Sequence, residues 1–347
     1  MVCEASRKGK RDTFREESMK IRRGMRNLLI AATAFAACGT VAAAAAEPVR
    51  FVVIGDLPYS ADQYRTLETE LRPGIAKGGF PFVVHVGDFK GGGVPCSDEG
   101  LERAYRQIMS LIPERVFYTP GDNDWTDCDR EKLNAPISEL KRLDRLREVF
   151  YSKSPAVPEG WHYRRQEDYP ENAMWRFGGI QFATLHVVGT KNGRVEIELD
   201  DKSTALDAVD ARDAANARWL DSAFASAVTS AASALVVAMQ ADITKVGWDR
   251  KCSRKHRAKC DGFASVRDQL IVASAAFRKP VLLVHGDTGR YCIDRDFGGD
   301  AAPNLWRLNS AGDWIVDATV IEFDPSAPDA GFSFIRIREN VPLESLC

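Results

Sequence analysis

Apolar runs and amphipathic stretches alternate along most of the chain. Val49–Ile54, Phe80–Val86 and Val116–Thr119 are nearly continuous apolar runs, and Tyr64–Ile75 and Leu101–Leu111 between them carry apolar residues at helical spacing. A strand buried on both faces reads as a continuous apolar run. Amphipathic helices between such runs predict a layered α/β fold with parallel strands. Ile180–Val187, Ala234–Met239 and Val281–Val284 are further predicted strands. Trp314–Phe323 and Phe332–Arg338, about Asp324-Pro325, read as an antiparallel hairpin. Ile137–Tyr151, Asp207–Ala227 and Ser265–Phe277 are predicted helices, and Ser152–Asn172, with Trp161, His162 and Tyr163, a loop over one face. With no internal repeat and no linker-like stretch after residue 48, one domain over residues 47–347 is expected.

The N-terminus reads differently. Residues 1–26 carry nine Lys/Arg against four Asp/Glu, and the run Asn27–Ala46 is uncharged and rich in Ala. Ala44-Ala45-Ala46 before Glu47-Pro48 has the small-residue pattern of a signal-peptidase site. Residues 1–46 are therefore read as a secretory signal cleaved after Ala46, with Met19 or Met25 as alternative starts. An uncleaved anchor is one alternative, although Ala makes a weak membrane span. Lipidation at Cys38 is another, with Phe35 an odd residue three places before it.

At 45% hydrophobic and 28% charged, the 347 residues exclude a disordered chain or a polytopic membrane protein. Removing residues 1–46 leaves 38 basic and 45 acidic residues, a net charge of about −7. That charge argues against nucleic acid as a general partner and against stable membrane insertion after cleavage. A small-molecule partner in the periplasm or outside the cell is the expectation, and no sequence feature sets an oligomeric state. Six cysteines follow the leader: Cys96, Cys128, Cys252, Cys260, Cys292 and Cys347. In an oxidising compartment an even number reads as disulfides, with buried free thiols the alternative.

The candidate chemistry sits where strands stop. Three predicted strands end at Gly55-Asp56, Gly87-Asp88 and Gly121-Asp122-Asn123-Asp124, and a fourth at His285-Gly286-Asp287-Thr288. Open α/β sheets bind ligands at the carboxyl ends of their strands. Converging carboxylates repel and raise one another's pKa unless a cation lies between them. Four such ends predict a metal site, against the plainer reading of four separate turn signals. Gly91-Gly92-Gly93 lacks the Gly-Lys-Ser/Thr ending of a phosphate loop and reads as a flexible strand-end loop. Trp125 and Trp161 read as pocket walls or, more commonly for Trp, as packing.

In order and spacing, from about residue 51 to 290, these motifs resemble the calcineurin-like metallophosphoesterase superfamily. Gly121–Cys128 is similar to the Gly-Asp-Asn-Asp/Glu-Trp-Thr-Asp-Cys motif of an exported bacterial branch. The resemblance implies a four-layer α/β/β/α sandwich, two metal ions bridged by one Asp, and hydrolysis of phosphomonoesters or phosphodiesters by a metal-activated water. The chain departs from the pattern at its histidines. Pro58 stands at the usual first His, Asp122 at a metal-binding Asn, and Asn123 at the His that assists the leaving group. Gln240 is nearest the strand-end His ligand, and Asp287 and Gly289 occupy the two last His positions.

One site would then consist of Asp88, Asp122, Gln240 and Asp287, an oxygen-only set that favours Mg²⁺, Mn²⁺ or Ca²⁺ over zinc or iron. The other keeps Asp56 and Asp88 without its His, so one ion is expected to be firmly held and a second recruited, if at all, with substrate phosphate. Asp56 is the candidate base, Asn123 a hydrogen-bond donor to phosphoryl oxygen, and His285 the one imidazole beside the motifs. His85 and His186, inside apolar runs, read as core histidines. Lys90 beside the second motif is a candidate phosphate contact. So are Arg254 and Arg257, in a basic loop that a Cys252–Cys260 bond would close; a solvated charged loop is the alternative. A Cys96–Cys128 bond would brace the ligand face. The expected function is an exported metal-dependent phosphoesterase, and the alternative a member of the fold that binds a cation or phosphorylated ligand without turnover.

Overall fold

The computed structural model describes residues 48–327 and 331–347. The expected signal segment, its cleavage point after Ala46 and Cys38 lie outside the described residues. The strands in chain order are β1 (Val49–Ile54), β2 (Val83–His85), β3 (Val116–Tyr118), β4 (Arg164–Arg165), β5 (Ala173–Phe177), β6 (Ile180–Thr184) and β7 (Ala234–Ala238). They continue with β8 (Val281–His285), β9 (Cys292–Asp294), β10 (Leu305–Asn309), β11 (Thr319–Asp324), β12 (Gly331–Arg336) and β13 (Val341–Pro342). One sheet has the order β13-β12-β11-β1-β2-β3 and the other β4-β5-β6-β7-β8-β10-β9. The middle of each sheet is parallel (β1-β2-β3; β6-β7-β8-β10) and the edges antiparallel.

Side-chain alternation explains why the central strands are apolar throughout. Successive residues of a strand point to opposite faces. In β1, Phe51 and Val53 enter a core between the two sheets with Phe82, Trp175, Phe182 and Val236. Val52 and Ile54 face the other way, onto Leu71, Ile75, Leu101, Ile108 and Leu146. These come from the α1 (Ala61–Thr66) to α2 (Arg72–Gly78) segment, α3 (Asp98–Met109) and α4 (Glu139–Phe150). In β7, Leu235 and Val237 face Leu220, Phe224, Leu270 and Phe277, which belong to α5 (Lys202–Thr229) and α6 (Ala264–Phe277). Two sheets face to face, each covered by helices, make the four-layer α/β/β/α sandwich. Aromatic packing fills the middle, with Phe117 stacked on Trp175 at 3.6 Å and Phe82 edge-on to Phe182 at 5.1 Å.

The sequence reading needs correction at several edges. The Phe80–Val86 run pairs only over Val83–His85, and the strand predicted from Trp314 begins at Thr319. Trp314 itself is 83% exposed in a turn. Strands β4, β5, β9, β10 and β13 were not expected: they are short, β4 falls in the segment read as a loop, and Arg176 and Arg307 interrupt the apolar pattern of β5 and β10. Arg307 is nonetheless buried, between Asp242 and Asp294. Disulfides join Cys96 to Cys128, Cys252 to Cys260, and Cys292 to Cys347.

Glu139 in the first turn of α4 is 1% exposed. Burial and the charge of Asp129 push its carboxyl up to about 8, against the pull of Arg212. A carboxyl raised in the folded state keeps its proton there while the unfolded chain ionises, so stability falls as pH rises from about 4.5 towards 8. Glu139→Gln, neutral throughout, is expected to melt above the wild type at pH 8, with the gap closing by about pH 5. A gap independent of pH in paired melting curves would contradict this assignment.

Candidate metal centre

The strand ends converge as the parallel topology requires. Asp56, Asp88, Asp122 and Asp287 line one cavity of about 470 Å³ with Tyr59, Asn123, Asp127 and Arg130. Asp56, Asp88 and Asp287 each follow a glycine and take left-handed backbone angles, with φ of 51°, 56° and 67°. Few residues with a Cβ adopt that region, and such strain gathers at functional sites. Glycine backbone packs directly on the carboxylates. A Cβ at Gly286 would stand 1.9 Å from Asp56 Oδ2, and one at Gly189 2.2 Å from Asp122 Oδ2 and 2.8 Å from Asp287 Oδ1.

Hydrogen bonds satisfy only part of this acidic cluster. Asp56 Oδ1 accepts from Asp287 N at 3.0 Å, while Asp56 Oδ2 is buried without a partner. Asp88 Oδ1 accepts from Asn123 N at 3.0 Å, and its Oδ2 from Gln240 Nε2 at 2.9 Å and the Tyr59 hydroxyl at 3.5 Å. Asp122 Oδ1 accepts from Gln240 Nε2 at 2.9 Å and Asp122 Oδ2 from Thr190 Oγ1 at 2.8 Å. Lys245 Nζ lies 3.6 Å from Asp287 Oδ2. Burial, with the charge of Asp122 adding to it, pushes Asp56 up to about 8. The same two causes hold Asp88 and Asp287 well above the usual carboxylate range.

Asp124 is a different kind of carboxylate. It is fully buried and accepts from Asp88 N, Phe89 N, Gly121 N and the Tyr118 hydroxyl at 2.8–3.0 Å. Four donors from two strand ends thus meet one side chain, which pins the loops carrying Asp88 and Asp122 together.

The structure places the other candidates as follows. Asn123 lines the cavity, its Nδ2 3.3 Å from the Tyr59 hydroxyl. Gln240 reaches the cluster, but its Oε1 accepts from Gly189 N at 2.7 Å, so its NH₂ faces Asp88 and Asp122. It is a bridging donor there, and the oxygen-ligand reading is corrected. His285 is fully buried behind the site, near Asp242 and Arg307, and does not line the cavity. Burial holds it near 4, which with its position removes it from the catalytic candidates. Arg257 pairs with Asp207 and Asp210 of α5 at 2.6 and 2.8 Å, and Arg254 is exposed outside the cavity, so neither contacts the site. Lys90 lines a neighbouring cavity instead. His85 and His186 are buried in the core. Trp125 is buried under the Arg212 guanidinium, and Trp161 packs on the core between the sheets.

Tyr59, Thr190, Arg130 and Lys245 were not singled out from sequence. Thr190 sits in a turn whose residues Thr190, Lys191 and Asn192 all have left-handed φ, and it bonds Asp122 and Asp127. The Asn192-Gly193 pair is the turn signal that marks this segment.

Among the described residues, no three His, Cys, Asp or Glu side chains are arranged as ligands about a common point. The Gln240 amide lies between Asp88 and Asp122. The donor chemistry nevertheless fits a hard divalent cation: the four strand-end carboxylates face one cavity, and one buried oxygen has no partner. Asp56, Asp88, Asp122 and Asp287 are the residues that would hold it.

The described helices include none long and apolar enough to cross a membrane. Residues 49–221 match the family model described as calcineurin-like phosphoesterase. The chain carries a domain of the calcineurin-like phosphoesterase superfamily, and its two helix-covered sheets are consistent with that fold. Divalent metal ions are what this family implies. No curated protein matches the chain. Similar solved structures include PhoD, at 12% identity and a TM-score of 0.47 over 88% of this chain and 73% of that one. Another is GAP50, the anchor in the inner membrane complex of Plasmodium, at 11% identity and a TM-score of 0.47 over 86% of this chain and 90% of that one. A third is the purple acid phosphatase PPD1 of yellow lupin (Lupinus luteus), at 9% identity and 0.44; this chain is covered over 87% and spans 53% of that protein.

Asp124→Ala strands four buried donors. Urea denaturation is expected to show a loss of about 3 kcal/mol or more. A change under ~0.5 kcal/mol would contradict the pinning role.

Proposed function

We propose that the protein is an exported, metal-dependent phosphoesterase acting on a phosphomonoester or phosphodiester. The observation that carries the reading is the convergence of Asp56, Asp88, Asp122 and Asp287 on one cleft, three of them on strained backbone. Three disulfides support export to an oxidising compartment. A bound divalent cation would polarise the phosphoryl oxygen and lower the pKa of a water. With oxygen donors only, Mg²⁺, Mn²⁺ or Ca²⁺ suits the four carboxylates, one ion firmly held.

The chain's own groups supply the rest. Asp56, at the wall of the cleft, orients the attacking water. Asn123 Nδ2 and the Tyr59 hydroxyl, 3.3 Å apart, donate to phosphoryl oxygens. Burial and the carboxylates of Asp88 and Asp56 push the Tyr59 phenol far above its ordinary range, so it donates a hydrogen bond and keeps its proton. Among the described residues no imidazole lines the cleft to protonate a leaving alcohol, and general-acid help is worth ~10²–10⁴-fold. Esters with good leaving groups are therefore the preferred substrates.

One observation favours the second reading, a binding protein without turnover. The Gln240 amide already donates to Asp88 and Asp122, partly satisfying the carboxylates without a cation.

The test is hydrolysis of 4-nitrophenyl phosphate and bis(4-nitrophenyl) phosphate with added Mn²⁺, Mg²⁺ or Ca²⁺, beside Asp88→Asn. Metal-dependent turnover that falls by about a hundredfold or more in the variant is expected. Metal-dependent thermal stabilisation without turnover would support the binding protein.

A further inference from the structure

A second cavity, of about 550 Å³, adjoins the carboxylate cleft, and Tyr59 and Gly91 line both. The two differ in charge. The cleft presents aspartates, whereas among the described residues the neighbouring cavity is lined by Lys90, Arg103 and Arg142 and by no acidic residue.

Of these cations, Arg142 is spoken for: it bonds Asp98 at 2.9 Å and the Ser97 carbonyl at 3.1 Å. Among the described residues, Lys90 Nζ has only the Gly91 carbonyl within hydrogen-bond distance, at 3.5 Å. The ion pairs between α3 and α4 join Asp98 and Glu102 to Arg142 and Arg145, leaving Arg103 outside them. Arg103 is exposed.

The walls are flat and apolar. Tyr59, Phe89 and the 43% exposed Tyr64 line the cavity, and Gly100 and Ala104 of α3 leave room along one wall. The Cys96–Cys128 disulfide ties the loop carrying Gly91, Val94 and Pro95 to the turn after Asp124, bracing the partition between the cavities.

We propose that this cavity receives the alcohol portion of the ester and selects alcohols that carry a flat apolar group and a second negative charge. A phosphoryl group at the aspartates directs its leaving group past the shared Tyr59. There, rings stack on Tyr59 and Tyr64, and an anion meets Lys90 and Arg103 as charge-assisted hydrogen bonds. The chemistry rests on the phosphoesterase reading, but the cavity's binding can be read without turnover.

The experiment compares kcat/KM for 4-carboxyphenyl phosphate and phenyl phosphate with Mn²⁺, in the wild type and in the Lys90→Gln/Arg103→Gln double variant. Any intrinsic reactivity difference between the esters is common to both proteins. The expected result is a preference of about tenfold for the carboxylated ester in the wild type, falling close to one in the variant. A preference near one in the wild type, or one unchanged by the substitutions, overturns the proposal. Should neither ester turn over, calorimetric titration with 4-hydroxybenzoate decides. Binding that weakens about tenfold in the double variant upholds the cavity and places the failure in the phosphoesterase reading. No binding to the wild type overturns the cavity as well.

Discussion

The four strand-end aspartates facing one small cleft repel each other, and the burial of Asp56, Asp88 and Asp122 deprives them of the water that would screen them. The surrounding structure can be understood as what holds them there. Glycines without a Cβ let backbone approach within contact of the oxygens, and left-handed strand ends aim three of the side chains inward. Asp124 clamps the β2 and β3 ends, while Gln240, Thr190 and Lys245 offer hydrogen atoms or positive charge to individual oxygens. These partners leave Asp56 Oδ2 unsatisfied, and burial with the charge of Asp122 still holds Asp88 and Asp287 well above the usual carboxylate range. A divalent cation relieves that opposition most simply.

The sandwich supplies the rigidity such an arrangement needs. The two sheets share an aromatic core, and their parallel centres bring the strand ends out on one side. Loops leaving that side are fastened by the Cys96–Cys128 bond, and the chain's last residue is tied to β9 through Cys292. Strain at Asp56, Asp88 and Asp287 therefore sits on elements that cannot easily relax.

Much of this was legible in the residues. The central strands were readable because burial on both faces writes an uninterrupted apolar run, as in Val49–Ile54 and Ala234–Met239. The Gly-Asp strand ends were readable because glycine and a carboxylate recur in the same place. What escaped was information carried by pairing and orientation. Arg307 hides β10 because its charge is neutralised only by residues distant in sequence. Gln240 reads as an oxygen donor until the Gly189 N–H claims its carbonyl. His285 looks adjacent to Asp287 in the chain, yet strand alternation turns it into the packing against Arg307. Arg257 lies in the basic loop as read, but its charge belongs to Asp207 and Asp210.

The central claim is that the carboxylate cluster is a cation site, and titration of Mn²⁺ into the protein, followed by electron paramagnetic resonance, tests it most directly. The expected result is loss of the free-ion signal up to one Mn²⁺ per chain, reversed by competing Mg²⁺ or Ca²⁺. A free-ion signal that rises from the first addition as it does in buffer would contradict it.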